Sequence, residues 1–313
     1  MESRNPLTAK SAKSDSYRDF PKSQRSEKIE TVFAFLATTL CSLQLKIIIY
    51  FYIKQKHPCK MNKTIMITGA TAGFGKAIAL RFAKNGYNII ITGRRKERLA
   101  DLEKELLSYG KIEVLSLNFD VRKLQEVSSV IGNLPEKWKS IDILINNAGL
   151  AVGLSHIDDG IIDDWERMID TNVKGVLYIT RAVSPLMVAR NSGHIINIGS
   201  IAGKEAYENG NVYCATKSAV DSLSKSMRID LLKHNIKVTH IAPGMAETEF
   251  SIVRFKGDNG KADAVYKGID ALSAEDIADA VYYCASLPAH VCINDLVITP
   301  IQQASVNYSF RKE

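Results

Sequence analysis

The sequence lacks the cysteine spacings of a metal site or a redox pair. Its five cysteines, Cys41, Cys59, Cys214, Cys284 and Cys292, are odd in number and scattered. That pattern disfavours a zinc site, a redox motif or a disulfide framework, and fits reduced thiols in a cytosolic-type compartment. A basic block is also missing from most of the chain. The 313 residues carry +7 overall, but residues 1–60 hold 11 Lys/Arg against 5 Asp/Glu, and the other 30 and 29 leave the rest at +1. A nucleic-acid groove is not expected of so balanced a composition. Beyond residue 60 there is no low-complexity tract and no internal repeat. What is there, 46% hydrophobic and 24% charged residues, suits a chain that buries a sizeable core.

The first 60 residues differ from the rest. Residues 1–30, rich in Ser, Lys and Arg, read as disordered. Residues 31–53 are apolar except for a few positions, notably Gln44 and Lys46. Their length suits a membrane span of about 20 residues, whereas a mid-span Lys costs about 2.5–3.5 kcal/mol. Basic residues on both sides leave its orientation undecided. Glu2, Asp15, Asp19, Glu27 and Glu30 argue against a transit peptide. Met61-Asn62-Lys63 stands before the first strand as a natural start would. Three readings stand: an anchor giving membrane association through residues 31–53, a disordered extension, or upstream sequence that is not normally translated. The expected division is an extension, 1–60, and one globular domain, 61–313.

From Thr64 onward, short apolar runs alternate with helical periods. Residues 64–68, 88–92, 112–117, 141–145, 194–198, 236–241 and 292–299 read as strands. The runs are nearly continuous in apolar residues, as buried parallel strands are. Residues 74–85, 95–108, 122–133, 163–190 (with a break), 211–233 and 273–286 read as helices. Alternation of this kind predicts an α/β fold, a doubly wound parallel sheet of the Rossmann type with seven strands.

Thr68-Gly69-Ala70-Thr71-Ala72-Gly73-Phe74-Gly75 follows the first strand and opens a helix. Glycines there let backbone approach a ligand, and a helix N-terminus presents unpaired N–H groups to a phosphate. The second strand ends in Thr92-Gly93-Arg94-Arg95. NAD-binding folds carry an acid near this place for the ribose 2′-hydroxyl; here two arginines suit a 2′-phosphate instead. The expected cofactor is therefore NADP, with Arg94 as the main phosphate contact and Arg95 assisting. Asp120 and Val121 end the third strand, where a carboxylate suits the adenine amino group. Asn147, Ala148 and Gly149 end the fourth and suit a pocket wall.

Tyr213-Cys214-Ala215-Thr216-Lys217 places a phenol and an ammonium four residues apart, on one helix face. A cation beside a phenol lowers its pKa from about 10. A proton donor poised near working pH is what carbonyl reduction needs.

These segments, with Asn172, Ser200 and Pro243-Gly244, come in the order and spacing of the short-chain dehydrogenases/reductases. The resemblance covers residues 61–313. Gly73-Phe74-Gly75, Thr92-Gly93-Arg94-Arg95, Gly210-Asn211-Val212-Tyr213 and the stretch from Val253 to Asp258 are similar to the NADP-dependent 3-hydroxy acid dehydrogenase branch. That branch includes serine and L-allo-threonine dehydrogenases. The resemblance implies strand order 3-2-1-4-5-6-7 and a site built on Ser200, Tyr213, Lys217 and Asn172. Tyr213 would exchange the proton and Ser200 hold the substrate oxygen. Lys217 would tune Tyr213 and hold the cofactor ribose, and Asn172 would bridge Lys217 to water. Pro243, Gly244 and Thr248 would close on the cofactor. The polar insertion 250–268 would form a lid, with Arg254 receiving a substrate carboxylate and Lys256 as the alternative.

The expected activity is NADP-dependent oxidation of small 3-hydroxy acids or β-hydroxy amino acids, or the reverse reduction. Two alternatives stand beside it: a membrane-anchored reductase of lipophilic alcohols, and a non-catalytic NADP-binding regulator. Partners are a small-molecule substrate and other copies of the chain in a homotetramer or homodimer, with the domain placed in the cytoplasm. His194, His240 and His290 have no matching cluster of ligands, so no metal is expected. Trp138 and Trp165 read as packing residues.

Overall fold

A computed structural model describes residues 62–312. The extension and its apolar segment 31–53 lie outside the described residues. One compact unit spans Asn62–Glu313. Among the described residues, no helix is long and apolar enough to cross a membrane.

Seven parallel strands form one sheet in the order β3-β2-β1-β4-β5-β6-β7, as the resemblance implied. They are β1 (Thr64–Ile67), β2 (Asn88–Gly93), β3 (Val114–Asn118), β4 (Ile141–Asn146), β5 (Gly193–Ile198), β6 (Ile236–Pro243) and β7 (Asp295–Ile298). The helices between them are α1 (Gly73–Lys84), α2 (Lys96–Leu107), α3 (Leu124–Gly132), α4 (Ile162–Ile169), α5 (Gly175–Ala189), α6 (Asn211–Leu231) and α9 (Ala274–Ser286). The pleat explains why the strand sequences are apolar throughout. Ile65, Ile67, Ile89 and Ile91 join one core with Phe82 of α1, Leu99 of α2 and Val281 of α9. Met66, Ile90 and Leu144 face the other way, into a second core with Val127 of α3, Val183 of α5 and Val220 of α6. A strand covered on both faces has no polar side to write into the sequence. Each fully buried isoleucine contributes roughly 1.5–3 kcal/mol.

The break expected within 163–190 is not a loop. α4 runs into a π-helical turn, Asp170–Lys174, which runs on into α5. One extra residue per turn at this point carries Asn172 inward, a recurrent use of π-turns at sites. β7 is shorter than the apolar run 292–299 suggested. Among the described residues it pairs only with β6, from His240↔Asp295 to Pro243↔Ile298.

The insertion expected as a lid contains two short helices, α7 (Glu249–Arg254) and α8 (Asn259–Ala264). The Thr248 hydroxyl accepts from Phe250 N and the Asp258 carboxylate accepts from Lys261 N, so each helix begins at a side-chain cap. The C-terminal segment folds back over this insertion. Met245 N donates to Gln303 Oε1 at 2.7 Å, and Asp270 N donates to Gln302 Oε1 at 2.7 Å.

Candidate active site

The strand order reverses between β1 and β4, and ligands of open α/β sheets lie beyond the strand ends at such a point. A cleft of about 570 Å³ opens there. Most of the expected site residues border it. Thr68, Gly75 and Asn172 do not; they stand behind its wall and shape it.

Thr68 ties the first turn to the end of β4. Its hydroxyl donates to Ile145 O at 3.2 Å and accepts from Asn147 N and Ala148 N, each at 3.0 Å. Gly69 has φ +67°, and a Cβ there would come within 2.9 Å of Ala148 Cα. Gly75 is buried, and a Cβ on it would run into the Gly69 carbonyl and the Asn147 amide. The glycines thus let α1 begin hard against the turn. The N-cap of α1, Ala72, supplies no side-chain bond, and its first turn holds no acid. The leading N–H groups of α1 are left for an anion, so the turn fits a dinucleotide pyrophosphate.

The two arginines after β2 behave differently. Arg95 donates to Thr71 Oγ1 at 2.6 and 3.0 Å and to Glu249 at 3.1 Å. Arg98, one turn further along α2, donates to the same carboxylate at 2.8 Å. Arg95 is therefore tied to the lid. Arg94 is 57% exposed, with its closest carboxylate, Asp120, at 3.9 Å. Of the two it is the one left to meet a phosphate. Asp120 is held by Arg122, at 2.7 Å. Burial pushes the Asp120 carboxyl up, but the Arg122 hydrogen bonds and charge outweigh it and hold it below the ordinary value.

Ser200 follows β5 in extended conformation, its Oγ accepting from Ala202 N at 3.1 Å. Tyr213 and Lys217 project from one face of α6, one turn apart, and both are buried. Lys217 Nζ donates to Ile198 O at 3.0 Å and lies 5.9 Å from the centre of the Tyr213 ring. Burial pushes the Lys217 ammonium down to about 8. The expected fall of the Tyr213 pKa is not what the structure shows. Burial pushes the phenol up to about 12, with the charge of Arg254 pulling the other way. Removing a phenolate from water outweighs the nearby charges.

Asn172 makes three hydrogen bonds, and Lys217 is not among its partners. Its Oδ1 accepts from Leu150 N at 2.8 Å. Its Nδ2 donates to Leu150 O at 2.8 Å and to Thr216 Oγ1 at 3.0 Å. The amide clamps the segment after β4 onto α6. Asn172 Oδ1 and Lys217 Nζ nonetheless flank Gly149, at 3.3 and 3.5 Å from where its Cβ would stand.

Pro243, Gly244 and Thr248 border the cleft after β6. At the end of α7, Arg254 sits among three rings. Its guanidinium carbon is 4.9 Å from the centre of Tyr213, 5.5 Å from Phe250 and 5.7 Å from Tyr207. Among the described residues, no carboxylate lies within 4.0 Å of it. Lys256, the alternative anion ligand, does not border the cleft. It forms an ion pair with the buried carboxylate of Asp164 at 2.7 Å and is committed to holding the lid. Sequence reasoning missed Tyr207, Phe250, Arg98 and Glu249, since nothing local marks residues that meet across a lid. It also expected no cluster around His240. Asp221 and Asp295 do converge there, but Lys204 Nζ lies between them, at 3.1 and 2.6 Å, and supplies the cation.

The chain is similar to known proteins. A family model described as short chain dehydrogenase matches residues 63–259. The NADP-dependent 3-hydroxy acid dehydrogenase YdfG of Salmonella typhi is 50% identical over 249 residues, 79% of this chain and 99% of the relative. The sulfoacetaldehyde reductase 2 of Chromohalobacter salexigens is 44% identical over 245 residues, 78% and 96% of the two chains. Among solved structures, serine dehydrogenase in its closed form complexed with NADP+ superposes with TM-score 0.74 at 47% identity, over 80% of this chain and 100% of that one.

Proposed function

The chain belongs to the short chain dehydrogenase family, and we propose that it is an NADP-dependent oxidoreductase of small 3-hydroxy acids or β-hydroxy amino acids. L-Serine, L-allo-threonine and 3-hydroxypropanoate are the alcohols we assign to it, with the corresponding 3-oxo acids as the reverse substrates. The observation that carries the substrate class is Arg254. An uncompensated guanidinium facing the ring of Tyr213 suits an anionic head group in the same cleft, since a half-buried charge gains most from a partner. A lipophilic alcohol would leave that charge unpaired, which opposes the reading as a retinoid or steroid reductase.

Bound NADP would supply or accept the hydride. The N–H groups at the start of α1 would hold its pyrophosphate, and Arg94 would meet the 2′-phosphate. Asp120, Val121, Asn147, Ala148, Gly149, Pro243, Gly244 and Thr248 all border the cleft and would wall the nucleotide. Tyr213, protonated at neutral pH, gives its proton to the carbonyl oxygen in reduction and takes it back in oxidation. Ser200 donates to the same oxygen. Lys217, fixed by Ile198 O, presents its charge to Tyr213 and to the ribose. Asn172 keeps the Leu150 segment and α6 in register, so its part is to position. A carboxylate on Arg254 holds the reacting carbon beside Tyr213.

We place this activity in the cytoplasm and the chain in a homotetramer. Exposed Ile162, Ile169 and Leu177 along α4 and α5 support an association surface, which light scattering would check. The decisive assay follows NADP+ reduction with the three alcohols beside retinol, and NADPH oxidation with sulfoacetaldehyde. Turnover of retinol alone would overturn the proposal. NADPH binding without turnover of any would favour a regulatory role.

A further inference from the structure

Arg254 could point its charge in many directions, yet one residue aims it. Arg254 Nη2 donates to Tyr207 Oη at 2.5 Å. The main chain at the same position is anchored as well, with Gly153 N donating to Arg254 O at 3.0 Å. Arg254 Nε is buried and has no hydrogen-bond partner among the described residues. A guanidinium has five donors in a rigid plane, so fixing one N–H orients the remainder. Three rings around it restrict the plane further.

Tyr207 is itself placed by the start of α6. Its ring packs over Gly210, where any Cβ would run into it, and Gly210 N donates to Tyr207 O at 3.1 Å. Gly210 O then accepts from Cys214 N, the residue after Tyr213, at 2.8 Å. The phenol that aims Arg254 and the phenol expected to move the proton are thus referenced to one helix start.

We propose that Tyr207 is a positioning residue that aims Arg254 at the anionic group of the substrate, and so sets the preference for acids over neutral alcohols. The inference rests on the reading of Arg254 given above. It identifies Tyr207 as what converts a flexible lid cation into a directional site. Without its hydroxyl the cation remains, but its donors are no longer presented at a fixed distance from Tyr213.

The experiment compares wild type, Tyr207→Phe, Arg254→Ala and the double variant. Each is assayed on 3-hydroxypropanoate and on its methyl ester, with NADPH affinity measured in parallel. A hydrogen bond to a charged group is worth about a tenfold effect or more. Tyr207→Phe is therefore expected to raise KM for the acid about tenfold, with kcat, turnover of the ester and NADPH affinity unchanged. In the double variant, Tyr207→Phe should add nothing to the loss already caused by Arg254→Ala. Equal losses on acid and ester would overturn the proposal, because they mean a general packing role. Wild-type KM in Tyr207→Phe would overturn it too. If Arg254→Ala itself keeps the preference for the acid, the failure lies in the assignment of Arg254, and this result is read separately from that of Tyr207.

Discussion

The guanidinium carbon of Arg254 lies 4.9 Å from the centre of the Tyr213 ring, closer than the Lys217 ammonium at 5.9 Å. Two cations therefore flank the phenol, one from the lid and one from its own helix. They have different tasks. Arg254 is half-buried at the cleft wall, without an acidic partner among the described residues, and is available to an anion. Lys217 is buried and bonded to a backbone carbonyl, so its position does not depend on the lid.

That division separates two substitutions. Tyr213→Phe should cut kcat by about 10²–10⁴, the range of a lost general acid–base group, and leave NADPH affinity unchanged. Lys217→Ala should weaken NADPH binding as well. Fluorescence titration beside steady-state kinetics checks both, and near-normal turnover in Tyr213→Phe would refute the assignment.

The buried ammonium also predicts a pH dependence. With the Lys217 pKa pushed down to about 8, the free enzyme loses this positive charge as pH rises through about 8, although an exposed lysine would keep it past pH 10. NADPH affinity should decline over that interval, and Lys217→Ala should remove the inflection. A flat affinity profile from pH 7 to about 9.5 would contradict the assignment of Lys217 to the cofactor.

Arg94 should decide between the two nicotinamide cofactors. Arg94→Ala is expected to weaken NADPH binding by about 10–100-fold, the size of one or two charge-assisted hydrogen bonds, with NADH binding unaffected. Equal losses for both cofactors would show that Arg94 does not meet the 2′-phosphate.

Asn172→Ala should act through stability. It leaves the buried N–H and carbonyl of Leu150 without partners, at a cost of about 1–3 kcal/mol each. The melting temperature should fall by several degrees, on the order of 2–4 °C per kcal/mol for a domain of this size. Turnover per folded molecule measures what remains of the site.

His194 predicts the acid limb of stability. Burial pushes its imidazole down to about 3, while the unfolded chain takes up the proton near 6.5. Between those values the unfolded state binds more protons, so stability is full above about pH 6.5 and falls as pH drops toward 3. Denaturant titrations of His194→Gln across this window should show a shallower decline than wild type.

The sheet was legible because its strands are buried on both faces and stand out as apolar runs between amphipathic helices. Where the reading fell short, the cause was contact between distant segments. The run 292–299 is apolar over more residues than β7 uses, because the edge strand pairs only where β6 lies beside it. A break was expected within 163–190, but its place at Asn172 and its being a π-turn depend on backbone bonds no pattern records. Lys256 and Arg254 are both lid cations, indistinguishable by type. One meets Asp164, nearly a hundred positions earlier in the chain, and the other meets Tyr207.

The sequence alone carried the resemblance to the family, the strand order it implies, the Gly-rich turn and the proposal of Ser200, Tyr213 and Lys217 for the site. Each rests on residue types and their order along the chain, which the resemblance reads directly. Tertiary structure alone decided which cations are spent and which are free. Arg95 is tied to Glu249, Lys256 to Asp164 and Lys204 to Asp221 and Asp295, while Arg94 stays largely exposed and Arg254 has no acidic partner among the described residues. It also decided that burial, rather than the neighbouring lysine, dominates the acidity of Tyr213. Charge and solvation depend on what surrounds a group in space, and residues distant in the chain supply those surroundings.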